Sequence, residues 1–297
     1  MRLTARSISR SVREQLNKSS EARVLAVFTH ACDLVTSDGD VIALVTPGIG
    51  EGPLNIVVNA EPGNFASLEP GLAVTMRGAS LQIGNVHVEL DKTTTWEPLP
   101  DWDTLRNQGA AIVSRLPLLP DIARRHAPTE SLLPFMSKEA SLRQDNSLTQ
   151  AYAAVQTLQA GWDGDNVQLR AGTIRLAGLG SGLTPAGDDF LVGVMLWAWV
   201  AHPTPEAFCS VIVKAAVPRT TTLSAAFLRS AARGECSATW HQLLAALTKT
   251  DSDLAAAVRQ VLAHGATSGA DTLAGFLYAT YLSGALSNER LQPGAQK

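Results

Sequence analysis

The stretch GLGSGLTPAGDDFLVG, residues 178–193, carries the strongest local signal in the chain. Three alternating glycines precede a Thr-Pro step, and two adjacent aspartates then lead into an apolar run. Thr184 is a suitable N-cap, and proline is favoured at the first helical position, so the pattern predicts a helix from Pro185 to about Ala201. We therefore expect a glycine-rich turn at the start of a long helix. The apolar stretch 190–201 has only 12 residues, which indicates a buried helix because a bilayer requires about 20.

The segment HGATSGADTLAGFLYA, residues 264–279, repeats the same pattern. The frame GxDxLxG occurs at residues 187–193 and again at 269–275. In each copy the aspartate and the second glycine lie one helical turn apart on one face, where glycine allows close approach of a backbone or ligand. We expect the two helix starts to lie side by side and to direct Asp189 and Asp271 into one shared cleft.

The remaining sequence predicts an α+β fold, with an antiparallel β-rich domain at residues 1–97 and a mainly helical domain at 98–297. Strand-like runs occur at 23–30, 40–46, 54–60, 72–78, 80–83 and 86–90, separated by turn residues such as Gly84-Asn85. Residues 1–20 contain four arginines and are interpreted as a mobile tail or a short amphipathic helix. Prolines recur between 97 and 134, which predicts a linker with short helices. Beyond residue 145 the spacing is helical, including 147–160, except for one predicted strand at 172–178.

Composition excludes several classes of protein. The 297 residues carry a net charge of −3 and scattered basic side chains, so we expect no nucleic-acid partner. The three cysteines lie far apart, which argues against a disulfide framework or a zinc site. Without a secretory signal or a spanning segment, the sequence indicates a soluble cytoplasmic protein with no membrane partner.

The first glycine-rich turn matches neither of two familiar phosphate-binding motifs. The dinucleotide fingerprint fails because Leu183 stands where a third glycine belongs, and the P-loop fails because Asp188 and Asp189 replace its Lys and Ser/Thr. A helix N-terminus favours an anion by at most about 2 kcal/mol, whereas a phosphate about 4 Å from one carboxylate loses ~4 kcal/mol at an effective dielectric constant of 20. Three arrangements resolve this conflict. A cation such as Mg²⁺ or an arginine lies between the aspartates and the phosphate, one carboxyl group is protonated, or the aspartates face the N–H donors of a ligand.

These considerations define candidate site residues around a small anionic substrate. The candidates for catalysis are Asp188, Asp189, Asp271 and His264. The candidates for substrate binding are Gly180, Ser181, Gly182, Thr184, Gly187, Arg219, Thr222, Thr267, Ser268 and Gly269. Among these, Arg219 is the candidate for a bidentate clamp on carboxylate or phosphate. No metal site or cofactor is predicted, except that Asp188 and Asp189 would be the ligands if Mg²⁺ is present.

Three segments resemble the signature blocks of the AllH family: residues 178–193, 220–235 and 264–279. That resemblance implies a subunit of oxamate carbamoyltransferase, which works with other subunits in allantoin breakdown and converts oxalurate and phosphate to oxamate and carbamoyl phosphate. The resemblance does not identify catalytic residues in this sequence. Three functions remain open: an enzyme or catalytic subunit that binds a small anion, a non-catalytic assembly subunit of such a complex, and a Mg-nucleotide-dependent enzyme. The missing P-loop lysine weakens the third.

Overall fold

The computed structural model describes residues 1–18, 21–77, 79–133 and 155–286. The chain forms two compact units. The first comprises Met1–Pro100 with Glu235–Ala238, and the second comprises Asp101–Gly234 with Thr239–Lys297. The α+β fold class predicted from the sequence is confirmed, because the first unit is built from strands and the second from helices.

The first unit is a closed β-barrel. Its strands are β1 (Arg2–Ser9), β2 (Glu21–Val27), β3 (Ala31–Thr36), β4 (Val41–Val45), β5 (Asn55–Val58), β6 (Ala73–Arg77), β7 (Ser80–Ile83), β8 (Val86–Glu89) and β9 (Thr94–Trp96), with a short helix α1 (Arg10–Leu16) after β1. The strand order is β5-β4-β3-β2-β6-β7-β8-β1-β9, and β1 also pairs with β5. This last pairing closes the sheet, so apolar residues such as Ile8, Leu34 and Ile56 form its core.

Two predictions for this unit were wrong in detail. Residues 2–9 are not a tail, because β1 pairs with both β5 and β8 and closes the barrel, whereas the alternative of a short helix holds for Arg10–Leu16. The two-residue alternation that buries Leu3 and Ala5 was obscured by the arginines on either side, Arg2 and Arg6. The sheet is also not purely antiparallel, since β1–β8, β1–β9 and β4–β5 are parallel. The predicted two-residue turn at Gly84-Asn85 is confirmed, with Ile83 paired to Val86.

The second unit is helical. Its helices are α2 (Trp102–Asn107), α3 (Gly109–Arg115), α4 (Leu119–His126), α5 (residues 155–162), α6 (Asn166–Leu176), α7 (Ala186–Ala201), α8 (Pro205–Ala216), α9 (Thr222–Ala232), α10 (Ala238–Leu247), α11 (Leu254–Leu262) and α12 (Ser268–Leu282). Of the helix predicted at 147–160, residues 147–154 lie outside the described residues. The central helices α7 and α12 are buried along most of their length.

The strand predicted at residues 172–178 is wrong, because residues 172–176 form the end of α6 and the following two residues form a turn. Asp165 caps that helix by accepting hydrogen bonds from the amides of Val167 and Gln168. The Thr173 hydroxyl donates to the Leu169 carbonyl inside the helix. The adjacent β-branched residues Thr173 and Ile174 suggested a strand, but capping and burial against neighbouring helices override such a local preference.

Candidate functional site

The glycines of the repeated frame lie where α7 and α12 cross. A Cβ atom on Gly193 would lie 1.9 Å from the carbonyl oxygen of Thr272 in α12. A Cβ atom on Gly275 would likewise lie 1.9 Å from the carbonyl oxygen of Phe190 in α7. Because each contact is the counterpart of the other within the repeated frame, the two helices pack through equivalent faces.

The first glycine of each frame forms an equivalent corner with the preceding helix. A Cβ on Gly187 would lie 2.1 Å from the Leu176 carbonyl oxygen, and one on Gly269 would lie 1.9 Å from that of Val261. The Gly187 amide donates to the Leu179 carbonyl at 2.8 Å, and the Gly269 amide donates to the His264 carbonyl at 2.9 Å. The chain therefore builds the same helix–turn–helix corner twice, and close packing explains why these positions are glycine.

Asp189 and Asp271 lie in the first turns of these two helices, and they are close enough for the charge of Asp271 to raise the pKa of Asp189. The two residues are 7 % and 0 % exposed. Within the described part of the chain, the Oδ2 atom of each has no hydrogen-bond partner. Close packing of helices requires no carboxyl group at either position, so the packing argument that explains the glycines does not explain the aspartates.

Burial raises the pKa of both carboxyl groups, and repulsion by neighbouring carboxylates adds to this effect at Asp189. The pKa of Asp189 lies well above its usual value, chiefly because of burial, with further contributions from the charges of Asp271 and Asp188, while the nearby Ser268 hydroxyl lowers it. Burial raises the pKa of Asp271 to about 6, against the lowering effects of the Leu132 amide and the Thr267 hydroxyl. The Leu132 amide donates to Asp271 Oδ1 at 2.6 Å.

Asp188 has a different environment from its neighbour Asp189. Its Oδ1 atom accepts a hydrogen bond from the Gly178 amide at 3.1 Å, and its Oδ2 atom accepts one from the Thr220 hydroxyl. Burial raises its pKa, although Thr220, Gly178 and Ser224 act in the opposite direction. Asp188 thus connects the glycine-rich turn to the segment before α9. Its oxygens are occupied, which does not fit the Mg²⁺ site considered for Asp188 and Asp189.

We expect Asp188→Ala to destabilise the protein by about 2 kcal/mol, because it leaves the Gly178 amide and the Thr220 hydroxyl without their acceptor. Urea unfolding measures this change. The matched control is Asp163→Ala, since Asp163 is exposed and exposed substitutions usually stay within ±0.5 kcal/mol. Equal unfolding free energies for Asp188→Ala and the control would contradict the connecting role.

Hydroxyl groups link the two corners. The Thr184 and Ser268 hydroxyls are 2.9 Å apart and hydrogen-bonded. Thr184 was expected to cap α7, but Pro185 occupies the N-cap position and no side chain caps that helix. The extended backbone at Pro185 moves the helix start by one residue and leaves the Thr184 hydroxyl available to α12.

The other predicted site residues lie near the surface. Gly180, Ser181 and Gly182 are exposed, and both glycines have positive φ angles, 118° and 89°. Arg219 is exposed, and its Nη1 atom donates to the Ala215 carbonyl at 2.9 Å. Its carbonyl oxygen, rather than its guanidinium, meets the glycine-rich turn, at 2.6 Å from where a Cβ on Gly178 would lie.

Two further predicted residues are not directed at the carboxyl pair. Thr222 is exposed, and its neighbour Thr221 caps α9 by accepting from the Ser224 amide at 3.0 Å. His264 is exposed, and it contributes a carbonyl oxygen to the second corner. Among the described residues, no hydrogen bond of the His264 imidazole is found. The structure therefore brings together Asp189, Asp271, Thr184, Thr267 and Ser268, and leaves His264, Arg219 and Thr222 at the surface.

Sequence reasoning missed Leu132 and Thr220. Leu132 contributes only a backbone amide, from a segment 139 residues before Asp271, and no residue-type signal marks such a contact. Thr220 begins the run Thr220-Thr221-Thr222, so the run of hydroxyls was a usable signal, but it did not show which threonine reaches Asp188.

Two other kinds of feature are absent from the described residues. None of the helices in the described part of the chain is long and apolar enough to cross a bilayer. The described residues contain no group of three or more His, Cys, Asp or Glu side chains placed to hold a metal ion.

The fold and the site define a class of α+β protein, in which a closed β-barrel accompanies a helical unit that carries two equivalent corners and a buried carboxyl pair. Two family models match this chain: the AllH family N-terminal domain over residues 4–95, and oxamate carbamoyltransferase subunit AllH over residues 176–280. The chain belongs to the AllH family, and is thus a carbamoyltransferase-related subunit. The second match spans both corners. No solved structure matches the chain.

Proposed function

We propose that this protein is the subunit of an oxamate carbamoyltransferase that binds the carbamoyl substrate between the N-termini of α7 and α12. The reaction is phosphorolysis of oxalurate to oxamate and carbamoyl phosphate. The observation that carries the proposal is the pair of buried carboxyl groups, Asp189 and Asp271, each with an oxygen that lacks a partner among the described residues. The family name supports a carbamoyltransferase complex.

A ligand with N–H groups satisfies these carboxyl oxygens. A buried polar group without a partner costs about 1–3 kcal/mol, and evolution retains such a cost mainly where the group has a task. The ureido part of oxalurate carries N–H donors, and a carboxylate is a suitable acceptor for them. Asp189 and Asp271 therefore face the nitrogen atoms of the substrate in this proposal.

The anionic groups of the substrates bind at the opposite end of the same region. Helix N-termini and exposed backbone amides favour anions, and the turn residues Gly180 to Gly182 are exposed. Phosphate lies at this turn rather than beside Asp189, since a separation of about 4 Å from one carboxylate costs ~4 kcal/mol at an effective dielectric constant of 20. Arg219 joins the anion when its guanidinium leaves the Ala215 carbonyl.

A second candidate function is a non-catalytic assembly subunit. The contacts of Gly187, Gly193, Gly269 and Gly275 with backbone carbonyls favour it, because they account for the repeated glycines without any ligand. This function leaves the buried carboxyl pair unexplained. The two candidates differ in one measurable respect, since only the first requires this chain to bind substrate.

Isothermal titration calorimetry tests the proposal with oxamate, oxalurate and carbamoyl phosphate. We expect at least one of them to bind the purified chain, or the complex reconstituted with its partner subunits, with one site per chain. Asp271→Asn should weaken binding at least tenfold, because it removes the carboxylate that accepts a substrate N–H group. The control Asp163→Asn, at an exposed position, should bind normally. Absence of heat with all three compounds, for folded chain and complex alike, would favour the assembly function.

A further inference from the structure

We propose that Asp189 and Asp271 hold a single proton between them, and that this proton passes to the nitrogen of oxamate as it leaves the carbamoyl carbon. The sharing of the proton follows from the structure of the pair alone. The transfer to nitrogen rests on the proposed function.

Among the described residues, no opposite charge is found beside the pair that would balance two carboxylates. The ion pairs found among the described residues involve Arg2, Arg10 and Arg124 with acidic residues elsewhere, and none reaches Asp189 or Asp271. The third carboxyl group nearby, Asp188, adds repulsion. Two carboxyl groups that share a buried site do not both ionise near neutral pH, and such a pair retains one proton.

The elements packed against α7 and α12 do not change this conclusion. His264 in the turn before α12 is exposed, and Arg106 of α2 donates to the Trp199 carbonyl. The other Asp, Glu, Lys and Arg residues on these helices, together with His126, are exposed: Asp103, Asp121, Arg124, Arg125, His126, Arg170, Arg175, Glu206, Lys214, Arg229 and Arg259. His241 of α10 is half-buried, and the buried thiol of Cys209 and the phenol groups of Tyr278 and Tyr281 carry no positive charge. A proton is therefore the simplest neutralising group. A metal ion fits less well, because Mg²⁺ held by one or two carboxylates keeps several of its waters, whereas both carboxyl groups here are buried.

The two carboxyl groups have different hydrogen-bond partners, and this difference decides which of them carries the proton. The Leu132 amide stabilises the ionised form of Asp271 by donating to Oδ1. The pKa of Asp271 is raised to about 6, whereas that of Asp189 is raised further. Just above pH 6, Asp189 thus carries the proton and Asp271 the charge. One donor and one acceptor side by side suit a substrate nitrogen that bears hydrogen and must gain another.

The reaction balances with this proton. An oxygen of hydrogen phosphate forms a bond to the ureido carbonyl carbon, and the bond from that carbon to the oxamate nitrogen breaks. The electron pair of the broken bond stays on nitrogen, which takes the proton from Asp189. Hydrogen phosphate releases its own proton to solvent and the carboxyl pair takes up one proton from solvent, so the enzyme ends in its initial state.

The pH dependence of stability tests whether the proton is shared. A folded-state pKa above the unfolded value means that the folded chain binds the extra proton, so stability falls as pH rises. Between pH 6 and the pKa of Asp189, one extra proton raises the unfolding constant about tenfold per pH unit. We expect Asp189→Asn to lack this contribution relative to the wild type, while Asp163→Asn superimposes on the wild type. Asp188 and the histidines are present in all three proteins, so their contributions to the pH dependence of the unfolding constant cancel in the comparison.

Two results would overturn the shared proton. The first is an unfolding constant whose pH dependence between pH 5 and 8 is the same for Asp189→Asn and the wild type. The second is a marked stabilisation of the wild type by MgCl₂ at pH 8 that Asp189→Asn lacks, because it would identify the pair as a cation site. Both measurements use the full chain and require no substrate.

The transfer step is tested with two leaving groups in the reconstituted enzyme. Oxamate nitrogen must be protonated as it leaves, whereas the phenolate of p-nitrophenyl carbamate leaves without a proton. If Asp189 donates the proton, the loss of rate in Asp189→Asn is at least tenfold smaller with the aryl carbamate than with oxalurate. Equal losses would show that Asp189 only binds substrate. A wild-type complex without oxalurate phosphorolysis would refute the proposed function and leave the stability result standing.

Discussion

Gly193→Ala is expected to destabilise the helical unit by at least about 3 kcal/mol, at the upper end of the usual cost of overpacking. The added Cβ would lie 1.9 Å from the Thr272 carbonyl oxygen and 2.6 Å from the Phe276 amide nitrogen. Both atoms belong to the backbone of α12, so no side chain can move aside. The helices must separate, and the melting temperature should fall by roughly 6–12 °C, which circular dichroism measures.

The control for this substitution is Gly109→Ala. Gly109 begins α3, its φ angle is not positive, and nothing lies within 4 Å of an added Cβ, so the change in stability should stay within about 0.5 kcal/mol. Gly275→Ala should match Gly193→Ala. The double variant should cost less than the sum, because one separation of the helices relieves both clashes. A melting temperature for Gly193→Ala equal to that of the control would disprove the close crossing.

Asp189→Asn is expected to lower kcat for oxalurate phosphorolysis by about 10²–10⁴-fold, the usual contribution of a positioned acid or base. The amide of asparagine has nearly the shape of the carboxyl group, but it cannot donate the proton that the leaving nitrogen requires. Steady-state rates of the reconstituted complex measure this loss. The variant should remain folded, since its amide can donate a hydrogen bond to Asp271 in place of the proton.

Two comparisons separate this loss from a general disturbance of the site. Asp163→Asn should retain wild-type rates, because Asp163 is exposed. Asp271→Asn should lower kcat as well, since it removes the carboxylate that accepts a substrate N–H group and that sets the proton affinity of Asp189. If Asp189→Asn retained more than half of the wild-type kcat in a folded complex, the carboxyl pair would have no catalytic role.

The two corners of the helical unit are equivalent in packing but not in length. From Leu176 to Gly187 the first corner spans 11 residue steps, whereas from Val261 to Gly269 the second spans 8. The longer corner contains the exposed residues 180–183, including Leu183, which is 41 % exposed. The two corners are otherwise related by an approximate two-fold symmetry. Because of the difference in length, only the first corner has additional exposed backbone amides.

Local patterns in the sequence predicted much of the fold. The turn glycines and strand alternation predicted most of the barrel strands, and helical spacing with a Thr-Pro step predicted α7 to within one residue. The missed strand β1 shows the limit of such patterns, because its place is set by pairing with residues 56–58 and 87–89. The strand wrongly predicted at 172–178 has the same cause, since packing of α6 overrode β-branched side chains.

The sequence by itself determined that two helix starts share one frame, since the spacing of glycine, aspartate and leucine is visible without coordinates. Only the tertiary structure decided which aspartates belong together. Asp188 and Asp189 are neighbours in the chain, but successive helical residues point about 100° apart, so one bonds to Thr220 and the other meets Asp271. The pair depends on two helices that cross at glycines, and a crossing depends on backbone contacts that local sequence patterns do not encode.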